Sequence, residues 1–196
     1  MMEKPSTGTV DLEFELQPET LLEQQLLEDP VFRKGMRWGV PRYGHPEGEV
    51  YKHVREVLAN IDRLTTITPE ERRRLRLIAF AHDTFKYLEN KEVPRRWERH
   101  HAVLARRFLE RYTDDLVVLT ITQYHDEAYY IWRDHYLYQA PQRAEARMAH
   151  LLNRVGDHRQ LYYYFFKCDT QTGDKNPAPL KWVEENFPGI QAVALK

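Results

Sequence analysis

The sequence predicts an all-α fold, in which a compact bundle of several helices follows a short helical extension. Apolar residues recur at helical spacing almost throughout from Glu49 onward, helix-capping residues precede several of these stretches, and no stretch carries a convincing hairpin signal. We assign residues 1–43 to the extension, which we expect to be partly flexible with one short helix, and residues 44–196 to the main domain.

The first elements follow in order along the chain. In the extension, "PETLLEQQLLEDPVF" places leucines at helical spacing, and the glycines and prolines of "RWGVPRYGHPEG" then predict a loop. The main domain opens with "EVYKHVREVLANIDRL", an amphipathic helix. The next helix, "TPEERRRLRLIAFAHDTFKYL", has Thr68 as its N-cap and Pro69 at its first helical position.

The remaining elements are also predicted to be helical. Residues 99–111 form an amphipathic helix, and Thr113 or Asp114 can cap "DDLVVLTITQYHDEAYYIW", whose β-branched residues leave a strand as an alternative. After Pro141 come the stretches "QRAEARMAHLLNRVGDH" and "RQLYYYFFKCDTQ". A short last helix, "LKWVEENF", ends near Pro188.

The composition of the chain argues against several classes of function. The net charge of −1 does not favour nucleic acid as a partner, although local basic patches leave room for it. The single cysteine, Cys168, excludes an internal disulfide and a zinc site built from a cysteine cluster. No apolar run approaches the ~18 residues of a spanning helix, and the polar N-terminus lacks a signal-peptide core. We therefore expect a cytoplasmic protein without a membrane partner.

Potential metal ligands follow apolar helical runs at three points. These ligands are His82 with Asp83, His125 with Asp126, and Asp169. His53 lies within the first helix of the main domain, and "ERHHAVLARRF" supplies His100 and His101. Imidazoles and carboxylates are the ligands that a divalent cation takes from a protein without thiolate clusters. Because an unpaired carboxylate is costly to bury, such a cation would supply the countercharge that these aspartates need.

The pattern resembles the HD-domain metal-dependent phosphohydrolase superfamily, whose signature is a histidine, a His-Asp doublet and a distant aspartate on a helical bundle. The matching residues are His53 in "EVYKHVREVL", His82 and Asp83 in "AFAHDTFK", and Asp169 in "FFKCDTQ". The resemblance extends over about residues 44–172. The stretch "GHPEGEVYKH" is most similar to HD domains found beside tRNA nucleotidyltransferases, although the transferase itself is absent here.

The resemblance implies a metal site and a set of ligands. The four matching residues would hold one divalent ion, and members of the superfamily that add two histidines hold two ions. Here the two added histidines would be His101 and His125, with the neighbouring His100 as an alternative to His101. The resemblance therefore implies one or two ions per chain, and a site of this composition accepts Mn, Fe, Co, Ni, Zn or Mg.

The resemblance also implies a reaction, the attack of a metal-activated water on the phosphorus of a nucleotide or other small phosphoester. Asp83 would orient the nucleophile or bridge two ions, and His101 or His125 would bind the second ion or donate a proton to the leaving oxygen. Lys86 would neutralise phosphoryl oxygens. The basic residues that follow the doublet could hold the phosphate, the alternative being a solvated basic loop. They are Lys86, Arg95, Arg96 and Arg99.

One position departs from the pattern of the superfamily. Many members have His-Asp, any residue, Gly and Lys, whereas this chain has Phe85 in place of the glycine. Phe85 motivates an alternative hypothesis, a non-catalytic domain that binds metal or nucleotide for sensing or stability. A third hypothesis, motivated by His101 and His125, is a dinuclear-iron oxygenase.

Overall fold

The computed structural model describes residues 10–90, 92–94 and 96–196, and this part of the chain is helical, with no β-strand beyond an isolated bridge between Arg42 and His45. The all-α prediction is confirmed. The α-helices in chain order are α1 (Leu12–Leu16), α2 (Leu21–Glu28), α3 (Pro30–Met36), α4 (Val50–Asp62), α5 (Pro69–Ala81), α6 (His101–Leu109), α7 (Leu116–Tyr124), α8 (Glu127–Tyr136), α9 (Pro141–Val155), α10 (Arg159–Thr170) and α11 (Ala178–Asn186). Short 3₁₀ turns span Lys86–Leu88, Trp97–Arg99 and Gly156–His158.

The N-terminal helices share the core of the main domain. The side chains that α1, α2 and α3 bury in it are Leu12, Leu16, Leu26, Leu27, Phe32 and Met36. A buried ion pair ties this segment to α5, because the guanidinium of Arg76 donates to the carboxylate of Glu23 over 3.0 Å. Residues 12–36 are therefore packed against the helices that follow them.

Local signals explain where α5 and α7 begin. Thr68 forms a capping box at the start of α5, since its hydroxyl accepts from the amide of Glu71 and its own amide donates to the Glu71 carboxylate. At α7 the cap is Asp115, not the predicted Thr113 or Asp114, because the Asp115 carboxylate accepts from the first amides of the helix. The strand alternative for this region is wrong, since it forms α7 and α8.

The centre of the bundle is α10, which packs against both α4 and α5. Its aromatic run is buried, and Tyr162, Tyr163 and Phe165 are completely inaccessible to solvent. Near the C-terminal end of α10, Oδ1 of Asp169 lies 2.8 Å from Nε2 of His53, in the first turn of α4, and 3.8 Å from Nε2 of His82, at the end of α5. In the described residues, no helix is both long and apolar enough to cross a membrane.

Candidate metal centre

Four buried histidines, His53, His82, His101 and His125, direct Nε2 into one buried region of the bundle. At the ends of α5 and α7, Nδ1 of His82 lies 2.9 Å from the carbonyl of Ala79, and Nδ1 of His125 lies 2.9 Å from the carbonyl of Thr122. A carbonyl oxygen only accepts, so Nδ1 carries the hydrogen in both rings. Nε2 is therefore the nitrogen that each of these two histidines offers to a cation.

The other two histidines are oriented from loops and turns. Nδ1 of His101 lies 3.3 Å from a carboxylate oxygen of Glu89, and Nδ1 of His53 lies 3.3 Å from the hydroxyl of Thr172. Partners of this kind orient the ring of a metal-binding histidine and fix its tautomer. Both rings thus present Nε2 to the same buried region as His82 and His125.

Group one is our name for His53, His82, Asp83 and Asp169. Nε2 of His53 lies 3.2 Å from Nε2 of His82 and 2.8 Å from Oδ1 of Asp169. Oδ2 of Asp83 lies 3.7 Å from Nε2 of His53 and 3.5 Å from Nε2 of His82. Ligand atoms bound at about 2.1 Å from one ion lie roughly 3 to 3.5 Å apart, so the spacing in group one suits a single divalent cation.

Group two is our name for Asp83, His101, His125 and Asp126. Nε2 of His101 lies 3.4 Å from Nε2 of His125 and 3.3 Å from Oδ2 of Asp126. Oδ1 of Asp83 lies 3.4 Å from Nε2 of His101 and 3.6 Å from Nε2 of His125. This spacing suits a second cation. His101 faces the group, whereas Nε2 of His100 is directed to the hydroxyl of Tyr130, 2.9 Å away.

Asp83 belongs to both groups, with Oδ2 in group one and Oδ1 in group two. Its side chain is only 4% exposed, and Oδ1 is buried without a hydrogen-bond partner among the described residues. A buried carboxylate oxygen in this state is costly unless a positive charge meets it. Two cations that share Asp83 would satisfy both oxygens, so the residues present fit the metal that the resemblance implies.

The electrostatics differ between the two groups. At His101 burial lowers the pKa, but the neighbouring carboxylates of Asp126, Asp83 and Glu89 outweigh it and raise the pKa to about 10, so a cation in group two must displace a proton.

In group one, His82, Asp83 and Asp169 already have the protonation states that a cation requires. Burial lowers the pKa of His82 to about 3, so this imidazole is neutral at pH 7. Burial raises the pKa of Asp83, but the ammonium group of the nearby Lys86 outweighs it and holds that pKa well below its usual range. At Asp169, Lys175 and His53 likewise outweigh burial and depress the pKa.

A cavity of about 300 Å³ opens onto the two groups. Its polar lining consists of His45, Asp83, Lys86, Asp126, Thr170, Asp169, Lys175 and Asn176. Its other lining residues are Tyr43, Gly44, Tyr129, Phe166 and Pro179. Lys86 pairs with Oδ2 of Asp83, and Nζ of Lys175 lies 2.9 Å from Oδ1 of Asp169. The cavity therefore brings two ammonium groups next to the candidate ligands.

The predicted phosphate cluster is only partly at this cavity. Lys86 lines it, whereas Arg96 and Arg99 are exposed and are not part of its lining. Arg99 instead borders a separate open surface with Tyr87 and Glu89. Arg95 lies outside the described residues. The positions of Arg96 and Arg99 therefore do not support a role for them in binding a phosphate in this cavity.

The sequence did not predict two residues that line the cavity, and the resemblance left a third residue, Asp126, out of the ligand set. His45 and Lys175 come from polar or glycine-rich loops, where only tertiary contacts could reveal their position. Asp126 follows an apolar run as a potential ligand but is not in the ligand set that the resemblance implies, and its carboxylate lies 3.3 Å from Nε2 of His101. The available signal was the repeated His-Asp doublet, because His125 and Asp126 follow an apolar helix as His82 and Asp83 do.

The departure at Phe85 has a structural reason. The Phe85 ring is buried, and its centroid lies 4.9 Å from that of Phe108. Its backbone has φ −101° and ψ 14°, which does not require glycine. Phe85 is not part of the cavity lining. The bulky residue therefore packs on α6 while the doublet and Lys86 still meet at the cavity.

The comparisons with known proteins gave one match, to a protein family. The family model described as HD domain matches residues 50–155, more than half of the chain. The matched range contains His53, the doublet of α5, His101 and His125, and Asp169 lies beyond its end. No curated protein matches the chain, and no solved structure matches it. The resemblance of "GHPEGEVYKH" to domains beside tRNA nucleotidyltransferases stays a prediction.

Proposed function

The chain belongs to the HD-domain family, and on that premise we propose that it is a metal-dependent phosphohydrolase acting on a small phosphoester, with a nucleotide as the expected substrate. The observation that carries the proposal is the position of Asp83. Its two buried oxygens face two separate sets of histidine and carboxylate ligands, directly beside a cavity that two lysines line.

The residues have distinct parts in this proposal. Cations held by groups one and two would lower the pKa of a water and polarise a phosphoryl oxygen. Asp83 and Lys86 line the cavity, so Asp83 can orient the attacking water while Lys86 neutralises phosphoryl oxygens. His101 and His125 are not part of the cavity lining, which favours a role as ligands over one as proton donors to the leaving oxygen.

The cavity also supports a small substrate. Its volume of about 300 Å³ is at the lower end of the range for small-molecule sites, about 300 to 1,000 Å³. Tyr43 and Tyr129 line it, and their rings offer an apolar surface to a base or another planar group. This lining suits a mononucleotide better than an extended polynucleotide.

The test combines metal analysis with substrate profiling. We expect purified protein to contain one or two divalent ions per chain and to release phosphate from members of a panel of nucleotides and small phosphoesters. Asp83→Asn removes a ligand charge from both groups, so turnover should fall by about 1,000-fold or more, since metal catalysis contributes several kcal/mol. The matched control is Asp62→Asn, whose side chain is 54% exposed on α4.

Three results would contradict the proposal. Unchanged turnover in Asp83→Asn would exclude the metal centre as the catalytic site. Nucleotide-dependent thermal stabilisation without turnover, for any of several metals, would support the non-catalytic domain instead. Two irons per chain together with oxygen-dependent turnover would support the oxygenase.

A further inference from the structure

Lys175 lies beside the candidate metal ligands, although the ligand set implied by the family resemblance includes no lysine at this position. Its ammonium group is 2.9 Å from Oδ1 of Asp169 and 2.9 Å from the Asp169 carbonyl. The same Oδ1 lies 2.8 Å from Nε2 of His53, in group one. Lys175 therefore binds the carboxylate oxygen that a cation in group one would use.

The loop that carries Lys175 is held in place by a second loop. The backbone amide of Gly44 donates to the carboxylate of Asp174 over 2.7 Å. Gly173 is pressed against the same loop, because a Cβ added there would lie 2.9 Å from Cδ of Pro46. Residues 43–47 and 172–176 thus form one wall of the cavity, which presents Lys175 to the ligands.

The charges of the cavity lining depend on the cation. The lining contains three carboxylates, from Asp83, Asp126 and Asp169, and two ammonium groups, from Lys86 and Lys175. Each ammonium group is paired with one of these carboxylates. A single divalent cation reverses the sign of the lining's charge and competes with the lysines for the carboxylates. Both ammonium groups then need a new anion within the cavity.

We propose that Lys175 is a phosphate-binding residue that neutralises Asp169 until a divalent cation takes over that role, and then binds the phosphoryl group of the substrate. The inference rests on the proposed function. It also specifies the substrate class as a phosphate monoester, because a monoester carries close to two negative charges at pH 7 and a diester carries one. Two unpaired lysines beside a bound cation suit the more highly charged group.

Two binding measurements test the proposal without any turnover. Mn²⁺ is titrated into metal-free protein, and inorganic phosphate is titrated into the Mn²⁺-loaded protein, with calorimetry in both cases. Lys175→Gln removes the competitor for Asp169, so Mn²⁺ should bind more tightly, by up to about fivefold. The same variant should bind phosphate about tenfold more weakly or worse, since a charge-assisted hydrogen bond is lost.

Controls separate this role from a structural one. Lys181→Gln changes a side chain that is 78% exposed on α11 and should leave both affinities unchanged. Lys175→Arg keeps the charge and should recover most of the phosphate affinity. Dimethyl phosphate, a diester monoanion, should lose less affinity than phosphate in Lys175→Gln.

The opposite direction of the two effects is decisive. If Lys175→Gln weakens both Mn²⁺ and phosphate, the residue only supports the loop, and the proposal is overturned. Unchanged phosphate affinity would overturn it as well. Neither measurement uses turnover. If the protein hydrolyses none of the phosphoesters tested, the proposed function is wrong, but the two titrations still test whether Lys175 binds phosphate.

Discussion

The two His-Asp doublets, His82–Asp83 and His125–Asp126, have the same local structure. Each follows an apolar helix directly, at the ends of α5 and α7. In each, Nδ1 of the histidine lies 2.9 Å from the backbone carbonyl three residues earlier. The two imidazoles meet edge to face, with centroids 5.0 Å apart. In both doublets, the carbonyl near the end of the helix therefore fixes the orientation of the imidazole ring.

The two aspartates differ in how far their side chains are exposed to solvent. The Asp83 side chain is 4% exposed and lies between both groups, whereas the Asp126 side chain is 27% exposed at the cavity. After Asp83 the chain enters a 3₁₀ turn that returns Lys86 to the aspartate, and after Asp126 it continues directly into α8. The comparison shows that the local motif orients the imidazole. The path of the chain after the doublet determines whether the carboxylate is buried between both groups or partly exposed at the cavity.

The largest expected difference between the doublets concerns their histidines. His82→Gln removes a ligand of group one, so we expect the protein to lose that ion and about 1,000-fold in turnover. His125→Gln affects group two only and should retain one ion per chain, with a smaller loss of about 100-fold. Elemental analysis and phosphate release on the two purified variants measure both quantities. Equal losses in the two variants would show that the doublets act as one unit.

A second comparison concerns the residue two positions after each aspartate. Phe85 and Ala128 are both buried, but only Phe85 fills a large volume in the core. Phe85→Ala should lower the free energy of unfolding by about 3 to 5 kcal/mol, the usual range for a buried phenylalanine. Because the ring packs away from the cavity, the folded fraction should keep its turnover and metal content.

Urea unfolding and turnover per folded molecule check this prediction. Phe14→Ala is the matched control, since that ring is 74% exposed and its loss should change the stability little. A selective loss of turnover in Phe85→Ala, without a loss of stability, would show that Phe85 acts on the site rather than on the core.

The sequence predicted those features that depend on local patterns. The capping box of Thr68, the apolar run of α5 and the doublet at its end all lie within one stretch of chain, and the structure places them as expected. The break between α7 and α8 was not predicted, because Asp126 and Glu127 are compatible with a continuous helix. Its cause is tertiary: the hydroxyl of Tyr162, on α10, donates to the carbonyl of Tyr124 over 3.0 Å.

The cavity wall could not be predicted for a similar reason. His45 and Lys175 are far apart in sequence, and their loops are joined by the hydrogen bond between Gly44 and Asp174 and by the close approach of Gly173 to Pro46. The arginines after the first doublet have the charge that a phosphate needs, but the turn at Trp97–Arg99 leaves Arg96 and Arg99 exposed. Charge is visible in the sequence, whereas the direction of a loop side chain is not.

The smallest expected effect concerns the caps of the helices that deliver the doublets. Thr68 caps α5 with a hydroxyl, and Asp115 caps α7 with a carboxylate. Burial raises the pKa of Asp115, but Arg74 and the amides of Val117 and Val118 outweigh it, so its pKa lies below the usual value of 3.8. A depressed pKa means that the charged cap stabilises the fold above about pH 4, and that this stabilisation is lost as the pH falls through the folded-state pKa.

The two caps should therefore respond differently to acid. Asp115→Ala should cost about 1 to 2 kcal/mol of unfolding free energy at pH 7, and its difference from wild type should shrink below about pH 4 as Asp115 becomes protonated in the wild-type protein. Thr68→Ala should cost about 1 kcal/mol at either pH, since the hydroxyl does not titrate there. Urea unfolding between pH 7 and about pH 3.5 measures both differences. A cost for Asp115→Ala that stays constant over this range would mean that the carboxylate caps α7 equally well when neutral, and would remove the electrostatic difference between the two helices.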